Sequence, residues 1–272
     1  FWVAGSSKCQ MSDFDKAMET FKKLFSSPKK KATPERDVLS LYEPLAQECV
    51  RIVTAGTGKS AFYPKPVMAA GGAWPSLHDR PMVLTLLVDL SELHQCHKLP
   101  WLPEKGVLLF YVDHEEYWEA DAVRVIHVPD AEGLVPFEAP DHEFQERKVG
   151  FERVKTYPSA ERREVQSFTT DEINAWDEWK DEQFEDRASH QIGGYPEAIQ
   201  ADTMEEDAEC HRRQDYRTPL GEDFDPASWK LLLQFDSDDD LGVAWGDAGM
   251  LYVFLHEDDA REGDFSKVFA CT

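Results

Sequence analysis

The chain has 272 residues, 42% of them hydrophobic, 30% charged and 12% aromatic, with eight Trp and a formal charge of −24 at pH 7. That length suits one large domain or two small ones, and a chain so rich in aromatic residues is not disordered. No apolar run reaches the roughly 18 residues a membrane helix needs, and the acidic excess opposes nucleic-acid phosphates, whose binding needs clustered Lys and Arg.

Ser12, with Asp13 and Asp15 in the first turn, opens a helix on which Phe14, Ala17, Met18, Phe21 and Phe25 share one face. Ser26-Ser27-Pro28 ends it. Thr33-Pro34 starts a second helix, with Thr as cap and an apolar face of Val38, Leu41, Tyr42, Leu45, Cys49 and Ile52. Pro44 inside that span predicts a kink or an interruption. Beyond Gly56 the period becomes strand-like. Met82 to Val88 and Val107 to Val112 are near-continuous apolar runs, and Val123 to Val128 alternates more loosely, so all three read as buried strands. Residues 139–166 read as surface loop and edge strand. Thr169 with Glu172 is a capping box ahead of Ile173, Trp176, Trp179 and Phe184, predicting an acidic helix over about 170–186. Residues 201–226 are polar with little pattern, and Leu231 to Phe235 and Met250 to Leu255 predict two more buried strands.

Charge is unevenly placed, +3 over residues 1–112 and −27 over 113–272. So negative a surface attracts a basic protein and speeds the encounter, although acid excess also serves plain solvation. The basic cluster Lys29-Lys30-Lys31, with Lys22 and Lys23 upstream, is too short for a nucleic-acid groove. The five cysteines, Cys9, Cys49, Cys96, Cys210 and Cys271, are scattered and odd in number, which predicts free thiols and a reducing cytoplasm. Opening at Phe1 rather than Met, the sequence is expected to lack its natural start.

An internal repeat is the most informative feature. Gly71-Gly72-Ala73-Trp74-Pro75 answers Gly193-Gly194-Tyr195-Pro196; Leu84 to Asp89 answers Leu231 to Asp236; Gly106 to Val112 answers Gly249 to Leu255 without a gap. A unit this small cannot bury both faces alone, so two copies packed together predict a shared core. The second copy carries a longer insertion between its glycine pair and its first strand.

The stretches His190 to Gln200, Leu231 to Asp238 and Trp245 to Gly249, with Gly71-Gly72, Trp74-Pro75, Leu99-Pro100 and the closing Asp264-Phe265-Ser266, resemble the YwqG-like family, long catalogued as a domain of unknown function. Ala73, inserted between the glycine pair and the aromatic, loosens the match there. That family is similar, more remotely, to programmed cell death protein 2 and to a yeast cytoplasmic relative that chaperones a small-subunit ribosomal protein. The resemblance implies a β-rich duplicated module whose activity is binding rather than catalysis, and it supplies no catalytic residues to carry over.

Three shorter motifs have a structural reading beside a functional one. Gly56-Thr57-Gly58-Lys59-Ser60 looks like the end of a phosphate loop, but the required first glycine is Val53, so a connector is the better reading. Asp236 to Gly242 resembles a calcium loop closing on Asp247, yet position 6 is Leu241 and the glycine comes one place late, as expected of an acidic turn. His94, Cys96 and His97, with Cys210-His211, lack the spacing of zinc pairs, since neighbours such as Cys96-His97 in a strand point apart. No cofactor and no metal are expected.

The glycine pairs have two readings. Structurally, the favoured reading, they are turns into extended segments. Functionally, with Trp74 and Tyr195 beside them and Trp245-Gly246-Asp247 at the border, they line a groove for an extended peptide. The sequence thus predicts a cytoplasmic α+β protein. Two N-terminal helices (residues 1–60) pack on a duplicated, mostly antiparallel β module (61–272, copies about 66–130 and 188–258). Its expected role is binding or chaperoning a basic polypeptide, with no nucleic acid and no membrane as partner. The candidate binding residues are Trp74, Gly193, Gly194, Tyr195, Gln200, Gln234, Asp236, Trp245 and Asp247. Two alternatives remain open: an enzyme acting on RNA, built on His190 with Asp236 and Asp247, and an immunity protein neutralising a basic toxin.

Overall fold

Pro44 decides the start of the fold. In the computed structural model, which describes residues 38–272 apart from 120, 140, 141, 184–188, 200, 201 and 248, α1 (Val38–Tyr42) gives way to a 3₁₀ turn over Glu43–Leu45. Proline lacks the N–H that an α-helix would need there, and its ring crowds the preceding turn. The second expected helix therefore stops short. Residues 47–53, read in the sequence as its far end, form β1 (Gln47–Val53), with Val50 and Ile52 buried in the core. Val50, Ile52 and Val53 are β-branched and favour an extended chain, so the helical spacing of Cys49 and Ile52 was coincidental. The helix expected over Ser12–Phe25 lies outside the described residues.

Downstream come β2 (Ala61–Phe62), β3 (Val67–Ala69), β4 (Ser76–Leu77), β5 (Arg80–Pro81) and β6 (Val83–Asp89), then α2 (Leu90–Cys96). β7 (Val107–Val112), β8 (Val123–Val128), β9 (Leu134–Pro136), β10 (Arg147–Lys148) and β11 (Gly150–Thr156) follow. The chain closes with α3 (Thr170–Gln183), β12 (His190–Ile192), α4 (Met204–Arg213), β13 (Trp229–Asp236), β14 (Met250–His256), α5 (Glu257–Glu262) and β15 (Phe269–Cys271). One sheet runs β11-β1-β12-β13-β14-β15 and a second β10-β2-β6-β7-β8, with two small pairs, β3-β9 and β4-β5, outside them. The ladders are antiparallel, and with the helices they make an α+β fold.

The two main sheets share one interior. Leu86, Val88, Leu108 and Phe110 from the five-stranded sheet meet Leu233, Phe235, Leu251 and Val253 from the six-stranded one. Covering on the outer faces explains why β7 is buried at every position. Leu84, Leu109 and Tyr111 line one outer cluster; Leu231, Tyr252 and Phe254 line another, roofed by Met204 and Ala208 of α4. α4 falls in the stretch that reads as patternless. Its cues are charges, Glu205, Glu206 and Asp207 in the first turn and His211, Arg212 and Arg213 in the last, which suit the helix dipole.

The β6–β7 and β13–β14 hairpins share their register. Asp89 pairs with Val107 and Asp236 with Met250, and each ladder has one bulge, between Leu84 and Leu86 in the first and Leu231 and Leu233 in the second. Elsewhere the local reading holds. Thr169 Oγ1 accepts from the Glu172 amide at 3.3 Å while Glu172 Oε2 accepts from the Thr169 amide at 2.8 Å, so the capping box starts α3. His94 and Cys96 lie on α2 rather than on a strand, because Asp89 caps the amides of Ser91 and Glu92 and turns the chain into a helix. Among the described residues no helix is long and apolar enough to cross a membrane.

Candidate functional site

Among the polar residues the sequence singles out, several hold loops in place. Gln234, fully buried, accepts from the Glu197 amide at 2.8 Å and donates to the Ser189 carbonyl at 2.8 Å. Asp236 accepts from the Ser189 amide at 2.8 Å, and burial, partly opposed by that bond, raises its pKa. His190 Nδ1 accepts from the Asp236 amide at 3.1 Å, which puts the ring proton on Nε2, facing Asp238 Oδ2 at 3.0 Å. The bond to His190 in turn draws the Asp238 pKa below its ordinary value. His190 is 2% exposed with both nitrogens engaged, so it offers no free nitrogen for proton transfer with Asp236.

The acidic loop that follows is a turn closed on itself. Asp238 and Val243 exchange backbone bonds, and Asp238 Oδ1 accepts from the amides of Asp240 and Leu241. The Trp245 amide donates to Ser237 Oγ at 2.9 Å, and that hydroxyl donates to the Gly249 carbonyl. Trp245 is buried against Phe235, His114 and Tyr117, while Asp247 is exposed in the turn. A calcium loop needs these oxygens turned toward one point, whereas Asp236 and Asp238 face protein donors.

Gly193 and Gly194 both have positive φ (+79° and +73°) where the chain leaves β12. A Cβ on Gly194 would lie 2.3 Å from Thr156 Oγ1 and 2.9 Å from Cys49 Cβ, so the close approach requires glycine. Tyr195 follows, with the Arg162 guanidinium 5.1 Å from its ring centroid. Arg162 donates to Asp202 (2.6 Å) and Glu205 (2.7 Å); burial opposes its charge, but these carboxylates outweigh burial and raise its pKa. Gly193, Gly194 and Tyr195, with Trp101, Trp229 and Arg162, line a cleft of about 480 Å³.

Trp74 faces a different cleft. Its Nε1 donates to the Met82 carbonyl at 2.8 Å, and its ring stacks on Phe137 at 4.5 Å. This cleft is larger than the first, about 680 Å³, with Trp74, Met82, Leu84 and Phe144 as apolar floor and Asp113, Glu115 and Glu143 as carboxylates. Arg80 lies there too, within 2.9 Å of Asp113 and Glu115 and 3.1 Å of Glu116. One guanidinium thus faces three carboxylates. His114 and His142 complete the wall, and burial, reinforced by His142 and opposed by Asp113, lowers the His114 pKa to about 4. The buried Tyr63 hydroxyl, Trp245 Nε1 and His142 Nδ1, in the ring cluster with His114 and Phe144, have no hydrogen-bond partner among the described residues. The loop Gly242–Ala244 borders this cleft, joining it to the acidic turn.

The structure therefore divides the expected residues. Gly193, Gly194 and Tyr195 share one cleft, Trp74 lies in another with the loop before Trp245, Gln234 and Asp236 brace the strand ends, and Gln200 lies outside the described residues. Tyr63, His114, His142 and Phe144 escaped the sequence reading, because they come from separate segments and match no motif.

The phosphate-loop look-alike has an occupant of its own. Glu92 accepts from the amides of Lys59 (2.7 Å) and Ser60 (3.0 Å) and from Ser60 Oγ (2.7 Å). Burial would raise the Glu92 pKa, but these bonds and the Lys59 charge outweigh it and lower the pKa. Of the metal-ligating types, His78, Glu116 and Glu119 place donor atoms within 4.8 Å of one another. Arg80, 3.1 Å from Glu116, already supplies a cation there.

No curated protein matches the chain. A family model described as a domain of unknown function, DUF1963, matches residues 60–271 and so takes in both main sheets apart from β1, and the chain belongs to that family.

Proposed function

We propose that the protein binds a basic, partly apolar polypeptide segment, seated in the cleft of Trp74, His114 and Phe144. The observation that carries this reading is the pairing of an aromatic floor with a carboxylate rim. Asp113, Glu115 and Glu116 surround a single Arg80, Glu143 adds to the rim, and His114 is uncharged at neutral pH. A Lys or Arg stem laid on Trp74 and Phe144 buries its methylenes, while the charged head gains ring and carboxylate contacts. Exposed carboxylates add about 0–1 kcal/mol each, so the net charge of −24 serves encounter more than affinity.

The reading includes a duplicated module. Its support is the matching register and bulge of the β6–β7 and β13–β14 hairpins and their joint core. The YwqG-like resemblance, with remote kin among ribosomal-protein chaperones, fits a binding role. A cytoplasmic setting belongs to the same reading, since Cys49, Cys96, Cys210 and Cys271 are free thiols.

The test is calorimetric titration with an octapeptide of alternating Arg and Leu, against a Gln/Leu control, at about 50 and 300 mM salt, which shortens the screening length more than twofold. Binding of the Arg peptide that weakens with salt and is lost in Glu115→Lys/Glu143→Lys is the expected result. Binding that ignores salt, or that survives the charge reversal, refutes the proposal.

A further inference from the structure

We infer a second ligand site of opposite sign, a cleft that takes a small organic carboxylate through Arg51. In a chain with 53 acidic side chains, the half-buried Arg51 has neither ion pair nor hydrogen bond among the described residues. Other arginines with some burial are matched: Arg80 by Asp113 and Arg162 by Asp202. Arg51 sits mid-strand in β1, with Gln191 of β12 and Glu152 of β11 as its cross-strand neighbours. Gln191 commits its side-chain amide elsewhere, donating to the carbonyls of Gly193 and Tyr195. Leaving a guanidinium unpaired in a partly dry wall costs stability unless a ligand answers it.

The surroundings specify the ligand. Arg51 lines a cleft of about 270 Å³, together with the rings of Tyr157, Trp176 and Tyr195. Lys155 and Lys180 are at its edge, but Lys155 is paired with Glu43 and Lys180 lies 3.9 Å from Glu197. Asp177 and Glu197 add acidic charge at the margin. One uncommitted positive charge suits one negative charge, and a planar guanidinium suits a carboxylate held by two parallel bonds. The volume falls just below the roughly 300–1,000 Å³ of drug-sized sites, room for a compact acid with an aromatic or branched body. A nucleotide is too large and too highly charged for a site with a single free cation. This site goes beyond the polypeptide reading, since Arg51 is not among the residues lining the acidic cleft.

Benzoate, phenylacetate and 3-phenylpropionate, each beside its amide, are titrated into the full chain and followed by calorimetry and tryptophan fluorescence. The expected result is saturable binding of at least one acid, about tenfold or more tighter than its amide, in line with a charge-assisted bond. Arg51→Gln weakens it at least as much and Arg51→Lys less. Without ligand the thermal midpoint of Arg51→Gln is no lower than that of wild type, as expected when an unpaired charge is removed. Arg-Leu octapeptide binding is unchanged in Arg51→Gln, which keeps the two proposals separable. The inference is overturned if no acid saturates below about 10 mM, if acid and amide bind alike, or if Arg51→Gln binds as wild type does.

Discussion

His114 makes the stability of the protein depend on pH in a window where few side chains titrate. Its ring lies against Tyr63, Phe144 and Trp245, with Nε2 3.1 Å from Thr85 Oγ1, and the charges facing it are those of Asp113 and His142. Burial dominates and lowers its pKa from 6.5 to about 4. Between those values the unfolded chain binds a proton that the folded one refuses, so the contribution is full above pH 6.5 and is lost as pH falls toward 4. The full shift corresponds to about 3 kcal/mol, of which about 2 kcal/mol is gone by pH 5. Urea unfolding followed by tryptophan fluorescence at pH 7.5, 6 and 5 measures it, with His114→Gln as the reference. Gln keeps a polar group for Thr85 but cannot titrate, and the carboxylates common to both proteins cancel in the difference. Wild type should lose about 2 kcal/mol more than the variant between pH 7.5 and 5. Parallel curves would refute the reasoning, because they would mean that His114 charges without penalty.

Two further predictions test the glycine turn and the carboxylate nest. Gly194→Ala should cost about 2–4 kcal/mol, from positive φ plus overlap with Thr156 and Cys49, whereas Gly71→Ala, at similar φ with nothing within 4 Å, should cost about 1 kcal/mol; equal shifts in thermal unfolding would contradict the close-approach argument. Glu92→Ala strips three donors of their acceptor and should lower stability by about 2 kcal/mol in urea. The vacated nest of amides should then accept sulfate, so sulfate restores the variant more than it stabilises wild type, and an equal response in both would count against the nest.

How much of this was legible in the sequence depended on where the signal came from. The runs at Val107 to Val112 and Val123 to Val128 coincide with their strands to the residue. The first does so because both its faces are covered and every position is buried, the second because its β-branched positions alternate with partly exposed ones. β1 was hidden because two of its residues, Cys49 and Ile52, also fit a helical face, and only Pro44 argued otherwise. The glycine pairs take a different alignment when strand register is followed. In the duplication we propose, counting back from Asp89 and Asp236 makes Leu87 the counterpart of Gln234, and they pair with Ala61 and Gln191. On that reading the position matching Gly193 is Tyr63 rather than Gly71, and Tyr63 adopts positive φ (45°) despite its side chain. A search for glycine could not find it. Asp236 and Gln234 were found for the opposite reason: buried polar groups need partners, and residues that brace a loop leave as firm a pattern as residues that bind a ligand.

In the duplicated module we propose, the two faces of each hairpin live under different constraints. Leu86, Val88, Leu108 and Phe110 can be matched one for one with Leu233, Phe235, Leu251 and Val253, since both sets must close the same interior at native density. The outer faces answer to nothing shared. Leu87 faces out with Trp74 beside the first hairpin, whereas its counterpart Gln234 holds Glu197 and Ser189 in the second. The connections diverge further, residues 63–82 carrying the small β3 and β4–β5 pieces and residues 193–228 carrying α4. Trp74 and Arg80, which shape the acidic cleft, come from the first of these connections, and Tyr195 and Glu197, which border the Arg51 cleft, come from the second. That division shapes the walls rather than the sign: a shared interior fixes where each connection starts and ends, while the deciding charges, Asp113, Glu115 and Glu143 in one cleft and Arg51 in the other, come from outside both connections.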